Sequence, residues 1–130
     1  MNKRASCIYL ASKYTRRKEL LGYAAQLAYL GYTITSTWLY EDVKNPRDLE
    51  FCWWAMKDLE DINRADTLVV FSGVASASGG MHVELGYALG RARAIVLVGP
   101  RGNIFHYLPG IIWFETWKAA LNWFTRRLTP

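Results

Sequence analysis

Two hydrophobic periods alternate along this chain, and that alternation constrains the fold more than any other feature. Short β-rich apolar runs recur at "SCIYLA" (6–11), "YTITSTW" (32–38), "TLVVF" (67–71), "AIVLV" (94–98) and "GIIWF" (110–114). Each reads as a strand. "TLVVF" and "AIVLV" are apolar throughout, as strands covered on both faces are. The segments between them carry a helical period. Leu20, Leu21, Ala24, Leu27 and Ala28 line one face of a helix over 17–30 that stops at Gly31. Asn45-Pro46 starts a second helix, with Asn at the cap and Pro in the first turn, running to about residue 63. Further helices are predicted over 81–92 and 116–128. Strands separated by helical crossovers make a parallel sheet.

The expected fold is therefore α/β, a flavodoxin-like doubly wound sheet of five parallel strands in a single domain, in the order 2-1-3-4-5. In the second helix, Cys52, Ala55, Met56, Leu59 and Ile62 are predicted to face the core, with Phe51, Trp54, Asp58 and Asp61 on the adjoining face. No apolar run approaches the roughly 20 residues of a membrane helix. The apolar stretch near the N-terminus runs straight into Lys13, Arg16, Arg17 and Lys18, so it reads as a strand and not as a signal peptide. Cys7 and Cys52 are too few for a disulfide framework and are expected to be buried free thiols in a reducing, cytoplasmic setting. The net charge is +5, but apart from Arg16–Arg17–Lys18 and Arg126–Arg127 the basic residues are scattered. A nucleic-acid polymer would want a concentrated stripe. A small phosphate-bearing ligand and a plain solvated basic surface both fit this charge.

Sheets of this kind bind ligands beyond the carboxyl ends of their strands, where strand order reverses. Residues after strand one (Tyr9 to Tyr14, including Ser12), after strand three (Ser72 to Glu84) and after strand four (Gly99 to His106) are expected around the site. Glu84 lies there, in what reads as the first turn of the third predicted helix, where the dipole favours its ionised form. A caged carboxylate at that place is a candidate nucleophile. Gly79 and Gly80 let the chain turn into this helix, and Gly86 and Gly90 are read as allowing close packing. Asp58 lies one turn from Trp54, whose indole would desolvate the carboxyl and suit it to general-acid work. Read plainly, Asp58, Glu60 and Asp61 are also a solvated acidic face, and Asp66 a turn residue. Tyr9, ending strand one, can reach and orient a carboxylate at the switch point. Ser12, Trp54, Ser72, Ser78, Gly79, Gly80, His82, Asn103, Phe105 and His106 complete the expected substrate-binding set. His82-x-Glu84 lacks the Pro-Cys-x-x-Cys of zinc deaminases, and two histidines make no zinc site. Dinucleotide and Walker fingerprints are missing. Neither a metal nor a cofactor is expected.

"IYLAS", "KDLEDINRADTLVVF", "GGMHVELGYALG" and "GPRGNIFHYLP", which together span most of the chain in order, resemble the nucleoside 2-deoxyribosyltransferase family, which includes the 2′-deoxynucleoside 5′-phosphate N-hydrolases. The resemblance implies cleavage of the N-glycosidic bond of a deoxynucleoside or its monophosphate. It implies Glu84 as nucleophile, Asp58 assisting the leaving base and Tyr9 holding the nucleophile. It also implies a homodimer or larger homo-oligomer with shared sites, the loop around Asn103 to His106 reaching into a neighbour. Six residues before the nucleophile the transferases carry Asp and the monophosphate hydrolases Ser; here it is Ser78. That position, with the Arg16–Arg17 pair, leans toward a 5′-monophosphate hydrolase. A base-exchanging transferase and a nucleotide-binding module without turnover are the alternatives.

Overall fold

A computed structural model of the chain describes residues 6–41, 48–73 and 79–128. Five parallel strands form one sheet: β1 (Cys7–Ala11), β2 (Thr33–Ile34), β3 (Thr67–Phe71), β4 (Ala94–Val98) and β5 (Ile111–Phe114), in the order β2-β1-β3-β4-β5. This is the doubly wound order expected from the sequence. Helices α1 (Arg17–Tyr29), α2 (Asp48–Asn63), α3 (Gly80–Gly90) and α4 (Trp117–Arg127) connect and cover the strands. Thr116 caps α4 by accepting the Ala119 amide. The proposed start of α2 at Asn45-Pro46 lies outside the described residues, as does Ser78.

Side chains alternate across the sheet and so build two cores. Ile8, Leu10, Val69, Phe71, Val96 and Val98 point into the layer that contains Leu20, Leu27 and Phe124 of α1 and α4. Tyr9, Ala11, Leu68, Val70, Ile95 and Leu97 point into the layer that contains Ile62, Leu85 and Ala88 of α2 and α3. A fully buried aliphatic side chain in either layer contributes about 1.5–3 kcal/mol. The period of two places Tyr9 on the same side of the sheet as Glu84 and Asp58.

Strand two is shorter than its alternating sequence predicts: β2 ends at Ile34 and residues Thr37–Tyr40 form a 3-10 turn. Side chains take over the edge of β1. Ser36 Oγ accepts the Leu10 amide at 3.2 Å, and Trp38 Nε1 donates to the Leu10 carbonyl at 2.8 Å. The backbone donors and acceptors of β1 are thereby satisfied without a longer partner strand.

The apolar stripe predicted for α2 is also displaced. Leu59 and Ile62 pack inward, but Cys52, Ala55 and Met56 are exposed. The inward side carries acids: Asp61 is buried and accepts Thr37 N (3.0 Å) and Thr37 Oγ1 (2.6 Å) and pairs with Arg64. Lys57 donates to Thr37 Oγ1 at 2.6 Å and pairs with Glu41. Polar partners in the turn after β2 thus set the rotation of α2, overriding its apolar pattern. Cys52 is exposed and Cys7 half-buried, so neither thiol has the buried setting predicted for it. Asp66 accepts the Cys7 amide at 3.0 Å at the far edge of the sheet, in keeping with its reading as a turn residue.

Candidate active site

Tyr9 is the middle residue of β1, paired with Leu68 of β3, and not the end of the strand as the sequence suggested. This side chain is fully buried, and its hydroxyl donates to Glu84 Oε2 at 2.6 Å. Glu84 is carried by α3, whose entry depends on Gly79: its φ of +72° is left-handed, a conformation glycine adopts without strain. Gly80, the first helical residue, has ordinary helical handedness and needs no such freedom.

Glu84 is therefore not a first-turn acid. It lies one turn further in, and α3 has no acidic residue in its first turn. The amides at the helix start do not hold it ionised. Burial instead pushes its carboxyl up to about 8; neighbouring Asp58 adds to the rise, and the Tyr9 hydrogen bond opposes it. Tyr9 in turn is raised well above its usual range by burial and by the two carboxyls. The same helix places Gly86 and Gly90 in open space, so neither serves the close packing expected of it.

Asp58 reaches the site from α2. Its Oδ1 is buried and has no hydrogen-bond partner among the described residues. Burial raises its carboxyl to about 6; Lys57 pulls it down, while Asp61 and Glu41 push it up. Trp54, half-buried one turn earlier, meets Phe51 edge-on at 6.2 Å. Ser12, just past β1, likewise has a buried, unpartnered Oγ. Two carboxyls, a tyrosine hydroxyl and an orphan serine thus gather at the switch point. With burial raising both carboxyls, and Asp58 adding to the rise of Glu84, the pair holds a single proton over the neutral range.

Other expected residues have structural duties. Ser72 Oγ donates to the Pro100 carbonyl at 2.6 Å, which uses its only proton to close the β3 and β4 loops together. Arg16 donates to the Ser72 carbonyl and to Glu19, and Arg17 donates to the Leu39 carbonyl, so the pair expected near a phosphate is already committed. His106 is buried, not thrust outward: its Nδ1 accepts the Gly102 amide at 2.8 Å, leaving a neutral ring whose pKa is lowered by burial and by His82. Its ring centroid lies 6.2 Å from that of exposed His82, at the start of α3. Asn103 caps the turn Ile104–Tyr107 by accepting the Phe105 amide, and Phe105 is exposed. Sequence reasoning missed Asp61, Lys57 and Thr37 as the frame of α2. The visible signal was the Thr35-Ser36-Thr37 run, which puts three hydroxyls into an otherwise apolar strand pattern.

Neither a family model nor a curated protein matches the sequence. Solved structures do match. A 2-deoxyribosyltransferase from the psychrotolerant bacterium Bacillus psychrosaccharolyticus superposes with a TM-score of 0.73 at 25% identity, over 90% of this chain and 91% of that one. The CMP N-glycosidase BcmB of Clostridium botulinum gives 0.65 at 19% identity, over 90% and 96%. A conserved protein of Enterococcus faecalis V583 gives 0.68 at 12% identity, over 96% and 100%, a likeness of fold. In its fold, and in the GG-x-x-x-ELGYA segment that carries Glu84, the chain is similar to the nucleoside 2-deoxyribosyltransferase family.

Proposed function

We propose that this chain is an enzyme that cleaves the N-glycosidic bond of 2′-deoxynucleoside 5′-monophosphates, with Glu84 as nucleophile. The observation that carries the reading is the 2.6 Å hydrogen bond from buried Tyr9 to Glu84, beside an Asp58 whose Oδ1 is buried and unpartnered. Tyr9 fixes the angle of the Glu84 carboxylate toward C1′. A Glu84 oxygen attacks C1′ from the face opposite the base, through an oxocarbenium-like transition state. The C1′–N bond breaks, and its electron pair goes to the base, which takes a proton from Asp58 or from a water that Asp58 holds. Water then attacks C1′ of the deoxyribosyl ester, giving its proton to Asp58 and returning Glu84 to the carboxylate. The chemistry requires the pair to hold one proton, and that proton, which rests on the more basic Glu84, moves to Asp58 so that Glu84 is ionised and Asp58 protonated at the moment of attack.

The monophosphate is favoured by Ser78, where an acid would repel a phosphate, and by the net charge of +5. A CMP N-glycosidase among the structural neighbours agrees with it. The second reading is base exchange between free deoxynucleosides. A 2-deoxyribosyltransferase as neighbour favours it, as does the engagement of Arg16 and Arg17 with protein groups. Either enzyme is proposed to work as a homo-oligomer. Phe51, Trp53 and Met56 of α2 and Val83 of α3 are more than half exposed, an apolar surface suited to a second copy.

The test is incubation of the protein with the four deoxynucleosides and their 5′-monophosphates, with and without a free acceptor base. Free base from monophosphates alone supports hydrolysis. Exchange into the acceptor supports transfer. Binding of a monophosphate with no product after prolonged incubation would mean a nucleotide-binding module instead.

A further inference from the structure

The loop between β4 and β5 is built to hold one guanidinium still. Gly99 begins it at a φ of +112°, and a Cβ there would lie 2.8 Å from Ser72 Oγ. Its amide donates to the Phe114 carbonyl at 2.9 Å, and its carbonyl accepts Trp113 Nε1 at 2.6 Å. Further along, Gly102 donates to buried His106, and Asn103 caps the turn that follows. Between these fixed points stands Arg101. Its guanidinium carbon lies 4.3 Å from the centroid of the Trp113 ring and 4.8 Å from that of Tyr107. Both contacts are within the range of a favourable cation–π interaction.

Those rings satisfy the charge and the flat faces of the guanidinium but none of its N–H groups. Arg101 is exposed and makes no hydrogen bond or ion pair among the described residues. Arg16 and Arg17, by contrast, spend their donors on Glu19 and on backbone carbonyls. An arginine held by aromatic rings with its donor edge open is preorganised for an oxyanion, because a forked pair of N–H groups matches two oxygens of one phosphate. The position is right for a ligand group. The loop follows β4 at the carboxyl edge of the sheet. It lies near the start of the helix of Glu84, where the rings of His106 and His82 are tilted against each other with centroids 6.2 Å apart.

We propose that Arg101 is the residue that reads the 5′-phosphate of the substrate and so sets the preference for nucleotides over nucleosides. This inference rests on the N-glycosidic reading of the Glu84 site and adds to it a specificity residue. Arg101 takes no part in the bond-breaking step. Trp113 and Tyr107 act as positioning residues for it.

Arg101→Met and Arg101→Lys test the inference through kcat/KM for the monophosphates and for the matching nucleosides. Arg101→Met is expected to lower the monophosphate value by roughly 10- to 100-fold, the range of a charge-assisted hydrogen bond, and to change the nucleoside value by less than about 3-fold. Arg101→Lys, which keeps the charge and loses the fork, falls between. Equal losses on both substrates would make Arg101 a structural residue, and no loss on either would leave it without a role; both overturn the inference. A parallel arm measures calorimetric binding of a deoxynucleoside monophosphate to Glu84→Gln protein with and without Arg101→Met. Should the wild-type chain release no base from any substrate, the N-glycosidic reading fails and this arm still decides. Selective loss of the phosphate contribution upholds Arg101 as a phosphate reader; unchanged binding, or none in either protein, overturns it.

Discussion

Glu84→Gln should abolish base release and, at the same time, make the protein more stable. The structure gives the size and sign of the second effect. Burial and Asp58 raise the Glu84 carboxyl from an ordinary 4.5 to about 8. Between those values the folded chain binds a proton that the unfolded chain has released. Folding stability from this group is complete below pH 4.5 and is lost as pH rises through 8. At about 1.36 kcal/mol per unit, the full displacement corresponds to about 5 kcal/mol as an upper bound. Partial exposure of the residue and relaxation around it reduce this, and about 2 kcal/mol is the expected difference. Gln has the same shape, and its carbonyl still accepts the Tyr9 hydroxyl, so the variant keeps the 2.6 Å contact without the buried charge. The assay is urea unfolding of both proteins at pH 4.5, 7 and 9. The two should be nearly equal at pH 4.5, and Glu84→Gln should lead by about 2 kcal/mol at pH 9, roughly 8 °C in Tm. A lead that stays constant with pH, or a variant less stable than wild type at pH 9, would show that Glu84 is not a desolvated acid and remove the basis of the argument.

The remaining predictions follow from the same geometry. The kcat/KM for base release should be bell-shaped, with limbs near 6 and 8, because the Asp58–Glu84 pair must hold one proton: below the lower limb no carboxylate can attack, and above the upper one no acid serves the base. A flat profile across pH 5 to 9 would contradict it. Tyr9→Phe removes the bond that lowers the Glu84 pKa, so the upper limb should move to higher pH and kcat should fall roughly 10- to 100-fold; an unmoved limb would detach Tyr9 from Glu84. Gly99→Ala places a Cβ 2.8 Å from Ser72 Oγ at a φ of +112°, and should cost about 2 kcal/mol or more in urea unfolding. A neutral result would show that the β3 and β4 loops yield easily there.

Strands β3 and β4 were legible to the residue because runs buried on both faces admit no other period. Their order followed from the crossovers, and with it the site's place at the switch between β1 and β3. Tyr9 and Glu84 were picked out for their place near that edge, and the structure brings them together, although Tyr9 stands in the middle of β1 and not at its end, and Glu84 lies beyond the first turn of α3. Local pattern failed where side chains stand in for backbone. Ser36 and Trp38 truncate β2, and Thr37 turns the acids of α2 inward, and no periodicity in either segment announces a contact made across 24 residues of chain. The failure in α2 has a further consequence. Beside its inward Leu59, Ile62 and Asp61, α2 turns Phe51, Trp53 and Met56 outward, an apolar set that this chain's own core does not cover. If a second copy covers that face, the sequence pattern of α2 was a correct record of burial, kept for the assembled protein and not for the lone chain. The exposed stripe is then no misfit with the fold. On the homo-oligomer proposal it is the part of the sequence that would specify the second copy, on the same helix that carries Asp58.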